Sequence, residues 1–329
     1  MNDRNALRSE TLGGARVARR TCLKSIAAAW VGVQSPALLA GERKAEGVEN
    51  VHLGVDAGVY ARFPVEEAAS RMQADGFRSV LCAYRFADMQ FDPLAPDWKA
   101  AEKILASFER HGIAIAAISG YVNVVDPNPS RRKAGDARLK FFLENAKRLG
   151  CRNVSTETGT FNEKSQWLDA PENFTEEGYR QCRAAFEKWA KVAEKAGSIL
   201  SIEVYWRNCI DSIDRAERLF REVNSPALKL VMDPCNYFRK EDLSKMQPML
   251  KDMFKRLGDR IVVAHAKDVK AAAEGTDLPA AGRGVLDYPL YLRLLGQLGR
   301  PIDLLLEHLT LDDVPRARDY VLSQMEKIG

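Results

Sequence analysis

The chain has 329 residues, 46% of them apolar and 29% charged, an ordinary globular composition with length for one large domain or two small ones. Its formal net charge of +4 arises in the first forty residues, because 43 of the 49 basic and 43 of the 45 acidic residues follow from Gly41 onward. Proteins that bind nucleic acid through phosphate contacts carry a basic excess, so this balance argues against a nucleic-acid partner.

The first forty residues combine a charged head with an uncharged, weakly apolar stretch. The stretch runs from Ser25 to Ala40, and the head before it reads Arg19-Arg20-Thr21-Cys22-Leu23-Lys24. This arrangement resembles a twin-arginine export signal. The resemblance implies a cleavable leader over residues 1–40, recognition by the twin-arginine export machinery and a periplasmic or otherwise exported protein.

Two positions of this leader depart from the usual signal, since Ala18 and Cys22 stand where Ser or Thr and Phe are common. The alternative interpretation is a disordered or helical extension that contains two adjacent arginines. The apolar stretch is shorter than the roughly 20 residues that a membrane-spanning helix needs. We therefore expect no stable membrane anchor, and residues 41–50 are interpreted as a linker.

From Val51 the chain alternates short β-branched apolar runs with longer amphipathic stretches, a pattern typical of parallel strands covered by helices. Eight such units in about 280 residues predict a single-domain (β/α)8 TIM barrel of the α/β class over residues 51–329, with a doubly wound open sheet as the alternative. The predicted strands are Val51–Asp56, Ser79–Ala83, Ala114–Ser119, Asn153–Glu157, Leu200–Val204, Lys229–Asp233, Ile261–His265 and Asp303–Glu307.

Helix signals lie between these strands. Pro64 is typical of a helix start, Thr175 of a capped start with Gly197 as the end, and Leu311 begins the last helical segment. The longest connections follow strands, where a barrel places its active-site loops; they are Tyr84–Pro96, Tyr121–Ser130, Gly159–Phe174 and Val269–Asp287.

Six cysteines are scattered along the chain without a C-x-x-C pair. This spacing argues against both a zinc knuckle and a disulfide framework. Because cysteine is among the most buried residue types, we expect those after Cys22 to be reduced and mostly packed in the interior.

Ionisable residues stand at the ends of four consecutive predicted strands, the fifth to the eighth: Glu203, Asp233, His265 and Glu307. In a barrel all four point toward one mouth. Three carboxylates would repel one another, so a bound cation is expected to balance them. Oxygen-rich donors with one imidazole suit Mn²⁺, Mg²⁺ or Co²⁺, with Zn²⁺ as a further candidate. Each acid taken alone is more simply a cap or an ion-pair partner.

These motifs resemble those of the xylose isomerase-like barrels, in particular the sugar phosphate isomerase/epimerase branch with its ketose 3-epimerases, hydroxypyruvate isomerases and inosose dehydratases. The resemblance covers Val51 to the C-terminus. It implies that the four strand-end residues bind one divalent metal and that Glu203 and Glu307 are also the catalytic acid/base pair. The motifs that carry it are Ile202-Glu203-Val204, Asp233-Pro-Cys-Asn236, His265-Ala-Lys267-Asp268, Gly282-Arg-Gly-Val-Leu-Asp287-Tyr and Glu307.

Two observations limit the resemblance. Asn236 stands where ketose 3-epimerases have a histidine that contacts substrate oxygens, which weakens the case for ketose 3-epimerisation itself. The endonuclease IV branch needs several histidines for three zinc ions. This chain has four, of which His111 is expected to end a helix and His52 lies at the start of the first strand, away from the mouth.

Further residues near the strand ends are candidates for contacts with a sugar-like substrate. Each also has a structural interpretation: an aromatic residue packed at the rim, a Lys–Asp salt bridge or a turn before a helix. The candidates are Glu157, Trp206, Arg207, Asn236, Lys267, Asp268 and Arg283.

The expected function is a metal-dependent sugar isomerase or epimerase that moves a proton next to a carbonyl through an enediolate. One alternative is a dehydratase or lyase that acts on a keto-sugar or keto-glycoside, because the same enediolate can expel a β-oxygen. Another is a non-catalytic periplasmic sugar-binding barrel. The expected partner is a small sugar or polyol, and the sequence is compatible with a homo-oligomer.

Overall fold

The computed structural model describes residues 47–328. The predicted leader over residues 1–40 and the first part of the predicted linker lie outside this range. None of the helices within residues 47–328 has both the length and the apolar character needed to cross a membrane.

Eight parallel strands form a closed barrel, each hydrogen-bonded to the strands before and after it, with the last paired to the first. This closure excludes the open doubly wound sheet and confirms the predicted (β/α)8 barrel. The strands are β1 (Val51–Asp56), β2 (Ser79–Cys82), β3 (Ala114–Ser119), β4 (Asn153–Glu157), β5 (Ile199–Glu203), β6 (Leu228–Met232), β7 (Ile261–Ala266) and β8 (Ile302–Leu306).

The predicted strands agree with these bounds to within one residue at each end. The shift matters at the functional end, because Asp233 and Glu307 come directly after their strands while Glu203 ends β5. Two short hairpins were not predicted: Arg85–Phe86 pairs with Met89–Gln90, and Lys270–Ala271 pairs with Thr276–Asp277. Strands of two residues are too short to show a side-chain period.

Eight α-helices follow the strands in turn: α1 (Val65–Ala74), α2 (Trp98–Arg110), α3 (Pro129–Asn145), α4 (Glu176–Ala196), α5 (Ile213–Val223), α6 (Met246–Leu257), α7 (Tyr288–Gly296) and α8 (Val314–Glu326). Short 3-10 helices occupy Ala57–Tyr60, Pro171–Phe174, Pro234–Tyr237, Lys240–Lys245, Gly258–Arg260 and Leu311–Asp313.

Local signals explain where the longest helix begins and ends. The Thr175 hydroxyl accepts a hydrogen bond from the Gly178 amide at the start of α4, and Gly197 ends the helix with φ of +65°. A left-handed backbone at this position favours glycine. His111 caps the C-terminus of α2, which confirms the prediction that it ends a helix.

The main apolar core lies between the strands and the helices, while a smaller buried cluster combines residues of five strands: Leu81, Ala117, Val231, Val263 and Leu305. Five cysteines of the described residues are free, and all but the half-buried Cys151 are buried. This agrees with the prediction of reduced, packed thiols.

Candidate metal centre and cavity

Four side chains converge at the C-terminal ends of β5 to β8. Glu203, Asp233, His265 and Glu307 each offer one ligand atom, and these atoms all lie within 4.8 Å of one another. Asp233 and His265 are each only 1% exposed. Because successive strands of a barrel are neighbours, residues far apart in sequence meet here as the sequence predicts.

The geometry around the imidazole of His265 fits a bound cation. Its Nδ1 atom lies 3.5 Å from Glu203 Oε1, 3.6 Å from Asp233 Oδ2 and 3.2 Å from Glu307 Oε2. Among the described residues, neither ring nitrogen of His265 makes a hydrogen bond. Buried polar atoms without partners are costly. Three carboxylates and one imidazole are suitable ligands for Mg²⁺, Mn²⁺, Co²⁺ or Zn²⁺.

Lys267 directly follows β7 and reaches the same carboxylates as His265, because residues two apart in an extended chain share a face. Its Nζ atom lies 2.5 Å from Glu307 Oε1, 2.6 Å from Asp233 Oδ2 and 3.9 Å from Glu203 Oε1. The contact with Asp233 is an ion pair without hydrogen-bond alignment, whereas Lys267 donates a hydrogen bond to Glu307. Lys267 is therefore part of the charged centre.

The charges of this centre depend on one another. Burial opposes ionisation of Glu307, but His265 and Lys267 outweigh it and hold the pKa of this carboxyl well below its usual range. Burial likewise disfavours the charged forms of His265 and Lys267, yet the carboxylates raise the pKa of both groups well above their ordinary values. The pKa of Asp233 is raised because burial dominates there.

Both oxygens of Glu203 accept hydrogen bonds. The Asn236 side-chain amide donates to Oε1 at 2.7 Å, and the Tyr121 hydroxyl donates to Oε2. Burial opposes ionisation of Glu203, but the neighbouring His265 lowers the pKa of this carboxyl below its usual value. Asn236 thus orients a candidate ligand from the position where the sequence suggested a substrate contact.

Glu157 is a further buried carboxyl beside the centre. It ends β4 in register with Glu203 on β5, and its Oε2 atom accepts a hydrogen bond from the Asn208 side chain at 3.0 Å. Burial and the charge of Glu203 raise its pKa well above the usual value. Two carboxyls with different pKa shifts therefore lie side by side at the mouth.

A cavity with a volume of about 490 Å³ opens above these groups. Its floor is charged and its walls include aromatic and aliphatic side chains. The lining residues are Asp56, Leu81, Ser119, Tyr121, Glu157, Trp167, Glu203, Tyr205, Asn236, Lys267, Leu278, Glu307 and His308.

A family model described as a xylose isomerase-like TIM barrel matches residues 60–323 of the chain. The chain belongs to this family. Comparison with curated protein sequences finds no match.

Solved structures of other xylose isomerase-like barrels share the fold. A xylose isomerase-like TIM barrel protein from Mycobacterium smegmatis in complex with magnesium is 17% identical, with a TM-score of 0.62 over 86% of this chain and 99% of that one. The 3-keto-D-glucoside 4-epimerase of E. coli is 15% identical, with a TM-score of 0.62 over 84% and 99%. An L-ribulose 3-epimerase is 16% identical, with a TM-score of 0.62 over 84% and 95%.

Four of the predicted substrate residues do not line the cavity of this xylose isomerase-like barrel: Trp206, Arg207, Asp268 and Arg283. Arg207 pairs with Asp169 at 3.4 Å and lies over the Trp206 ring. Arg283 pairs with Asp313 at 2.7 Å. These contacts join loops to one another and to the rim of the barrel.

Asp268 has a structural role. Its carboxylate accepts hydrogen bonds from the amides of Val269 and Leu286 at 2.9 Å and of Gly282 at 3.0 Å. Lys267 and Asp268 therefore do not act as a pair: the lysine faces the charged centre, while the aspartate holds the loop that follows β7. Successive residues point to opposite sides of an extended chain.

The cavity also contains residues that the sequence analysis did not select. Asp56 ends β1 and could have been found by the same strand-end rule. Tyr121 follows β3 by two residues, and His308 follows Glu307, so both lie near strand ends. Trp167 is ten residues beyond β4 in a loop without regular structure, and no periodicity in the sequence predicts its position.

Proposed function

We propose that the chain is a divalent-metal-dependent sugar isomerase or epimerase. The observation that carries this proposal is the convergence of Glu203, Asp233, His265 and Glu307, of which Glu203 and Glu307 line the cavity. Two proteins of the same fold are named as epimerases of a 3-keto-D-glucoside and of L-ribulose. Their names support the reaction class. The sugar that binds here is determined by the side chains that line the cavity.

The carboxylates of Glu203 and Glu307 would transfer the protons. A divalent cation held by the four ligands would supply Lewis-acid polarisation of adjacent carbonyl and hydroxyl oxygens. One glutamate removes the proton from the carbon beside the carbonyl, which leaves an enediolate of the sugar. The other returns a proton to the opposite face of that carbon in epimerisation. In isomerisation the proton returns to the former carbonyl carbon, and the proton of the adjacent hydroxyl moves to the former carbonyl oxygen.

Other cavity residues would orient the sugar. Lys267 presents an ammonium group at the floor, and Glu157 presents a carboxyl whose Oε2 atom is already bound to Asn208. We place substrate hydroxyls on the Lys267 ammonium and on Glu157 Oε1. Tyr121 and Asn236 hold Glu203 in a single orientation. Proton transfer requires that the carboxylate be held at the correct distance and angle to the reacting carbon.

The test is incubation of metal-loaded protein with a panel of keto-sugars in deuterated water, followed by NMR and mass spectrometry. Proton transfer predicts deuterium on the carbon beside the carbonyl and a product that has the mass of the substrate apart from this deuterium. Loss of water or of a glycosidic group would identify a dehydratase or lyase. Tight binding without deuterium uptake would identify a binding protein and contradict the proposal.

Metal content provides a second test. We expect about one divalent ion per chain, because four residues supply most of one coordination sphere. Asp233→Ala and His265→Ala should strongly lower the amount of metal bound per chain. His52→Ala should not, because His52 lies at the N-terminal end of β1, away from the candidate ligands. Two or three tightly bound zinc ions per chain would contradict a mononuclear centre.

We also propose export through the twin-arginine route, on the basis of the sequence of residues 1–40 alone. Residues 1–45 fused to a reporter that must fold before transport should carry it across the membrane. Replacing Arg19 and Arg20 by Lys should block this transport. A reporter that stays inside with the native arginines would contradict the proposal.

A further inference from the structure

Trp167 is an exposed aromatic residue that lines the candidate active-site cavity. Its side chain is 50% exposed, whereas Glu203 at the floor of the same cavity is 3% exposed. Trp167 therefore lies at the solvent-facing end of the cavity, away from its floor. An indole is a large apolar surface with a polar edge, and leaving half of it in water forgoes hydrophobic stabilisation.

Side-chain hydrogen bonds fix the loop that carries this indole. The Thr160 hydroxyl donates to the Leu168 carbonyl at 2.8 Å, and the side-chain amide of Asn162 donates to the Asp169 carbonyl at 2.8 Å. The Trp167 amide itself donates to Ser165 Oγ at 3.2 Å. The backbone on both sides of Trp167 is therefore held, so the exposure of the ring is built into the loop.

The same loop is anchored to the connection that follows β5. The side-chain amide of Asn173, which is fully buried, donates to the Arg207 carbonyl at 2.7 Å. The Cys209 amide donates to the Gly159 carbonyl at 2.9 Å. Both ends of the loop are thus tied to the segment that follows the candidate ligand Glu203, which sets the position of Trp167 relative to the floor.

The cavity has an apolar wall in addition to its charged floor. A volume of about 490 Å³ falls within the range of about 300–1,000 Å³ that is common for pockets binding drug-sized ligands. The charged side chains are concentrated among the buried residues, while Trp167, Leu278 and Tyr205 add apolar surface to the wall. The wall that includes Trp167 is therefore more apolar than the floor that includes Glu203, Glu307 and Lys267.

We propose that the wall around Trp167 is a second subsite, which binds a ring attached to the reacting sugar. The substrate class is then a glycoside, with a sugar or aromatic ring as the attached group, and a free monosaccharide is a poor substrate. The attached ring stacks on the indole of Trp167. This inference rests on the proposed function only for the reaction at the floor, since ring binding requires no chemistry.

Ligands without a ketone separate binding from catalysis. We would measure the affinity of metal-loaded protein for methyl β-D-glucoside, cellobiose and phenyl β-D-glucoside by calorimetry. The larger two should bind at least about tenfold more tightly than the methyl glucoside, since tenfold corresponds to about 1.4 kcal/mol and a stacked ring contributes on this scale. Preference for cellobiose over the phenyl glucoside identifies a sugar as the attached ring, and the reverse preference identifies an aromatic group.

Three variants locate the effect. Trp167→Ala should remove the tenfold advantage of the larger ligands and leave affinity for methyl β-D-glucoside unchanged, and Trp167→Phe should retain most of the advantage. Leu168→Ala is the matched control, because Leu168 is 42% exposed on the same loop but does not line the cavity. It should bind all three ligands like the parent protein.

Equal affinity for all three ligands in the parent protein would overturn the subsite, as would a failure of all three to bind. An equal loss for all ligands in Trp167→Ala would overturn it too, because it indicates general damage. The two proposals fail separately. Ring preference without deuterium uptake from keto-glycosides removes the proposed reaction and leaves the subsite, whereas uptake from a monosaccharide without ring preference does the reverse.

Discussion

Two polar clusters in this protein each combine a glutamate, a histidine and a cationic side chain, and their charged side chains differ in burial. The interior cluster consists of Glu203, Asp233, His265, Lys267 and Glu307, and its side chains are between 1% and 13% exposed. The exterior cluster consists of Glu66, Ser107, Arg110 and His111 at the α1–α2 contact, where the Glu66 and Arg110 side chains are 54% and 56% exposed.

Close contacts between charges have different energetic consequences in the two clusters. Exposed pairs are screened by water and contribute little to stability. Burying several charges costs several kcal/mol per ion before their attraction offsets it, and apolar residues of similar size would fill the same space at lower cost. The interior cluster is therefore best explained by binding and chemistry, and the exterior cluster by local packing of two helices.

The sharpest test of this difference is removal of the two proposed proton-transfer groups. Glu203→Gln and Glu307→Gln keep the side-chain shape and one ligand oxygen but remove the basic carboxylate. Turnover should fall by roughly two to four orders of magnitude, the usual contribution of general acid/base catalysis, while sugar binding weakens only modestly. The measurement is the rate of product formation at matched metal content, with deuterium uptake followed separately.

Each variant also reports a separate step. If one glutamate alone is the base, its variant loses deuterium uptake, while the other variant retains uptake and stops at the deuterated substrate. Near-normal turnover in both variants with metal bound would contradict the assignment of function to the interior cluster.

The ligands of the interior cluster could be predicted because barrel strands are parallel and neighbours in sequence are neighbours in space. Asp233 and Glu307 end apolar runs, so their position in the sequence alone predicts that they meet at one mouth. Lys267 was selected from its motif, but its ion pairs with two carboxylates depend on distances that no spacing gives. Lys267 and Asp268 do not act as a pair because successive residues of an extended chain point to opposite sides.

Tyr121 and the exterior cluster could not be predicted. Tyr121 contacts Glu203 across 82 positions of the chain, and such a contact depends on how the loop after β3 packs against the end of β5. Glu66 contacts residues 41 to 45 positions away on another helix, and charged residues on helix surfaces are too common to indicate which pairs meet. The fold was more predictable because strand length and alternation are local properties.

The second prediction concerns the positive side chain of the interior cluster. Lys267→Met fills a similar volume but leaves Asp233 and Glu307 without the ammonium group that lies 2.6 and 2.5 Å from their oxygens. Removing one partner of a buried pair typically destabilises a protein by about 3–5 kcal/mol. Chemical unfolding of metal-free protein should show this loss.

Added Mn²⁺ or Mg²⁺ should restore much of the lost stability, because a cation bound by the same carboxylates replaces the missing charge. Lys270→Met is the matched control, since Lys270 is exposed and lies 3.9 Å from its partner Asp277. It should change the free energy of unfolding by less than about 1 kcal/mol. An equal effect of both changes would contradict the distinction between buried and exposed charge.

The third prediction concerns the hydrogen bond that orients Glu203. Tyr121→Phe removes a donor to a charged group, which is typically worth about 1.5–3 kcal/mol. As a positioning change it should lower kcat by roughly tenfold or more and alter KM little. Tyr205→Phe is the control, because Tyr205 lines the same cavity and makes no hydrogen bond to Glu203 among the described residues. Equal effects of the two changes on kcat would argue against a specific role for Tyr121.

The smallest expected effect lies in the exterior cluster. The Glu66 carboxylate accepts hydrogen bonds from Arg110, from Ser107 Oγ at 2.8 Å and from His111 Nε2 at 3.0 Å. These donors, with Arg110 first, lower the pKa of Glu66 from 4.5 to about 2. A carboxyl with a lowered pKa in the folded protein stabilises the fold above its unfolded pKa, and this contribution is lost as the pH falls toward the folded value.

Glu66→Gln should therefore lower the Tm slightly near neutral pH, and the difference from the parent protein should shrink as the pH falls from about 4.5 toward about 2. Glu67→Gln is the control, because Glu67 is similarly exposed and, within residues 47–328, forms its ion pair with Arg71 of its own helix, at 2.7 Å. Its difference from the parent should be smaller near neutral pH. Thermal unfolding of all three proteins across this range measures the effect. A difference for Glu66→Gln that stays constant with pH would mean that the glutamine disturbs packing between α1 and α2, and that the charge of the exterior cluster contributes nothing measurable.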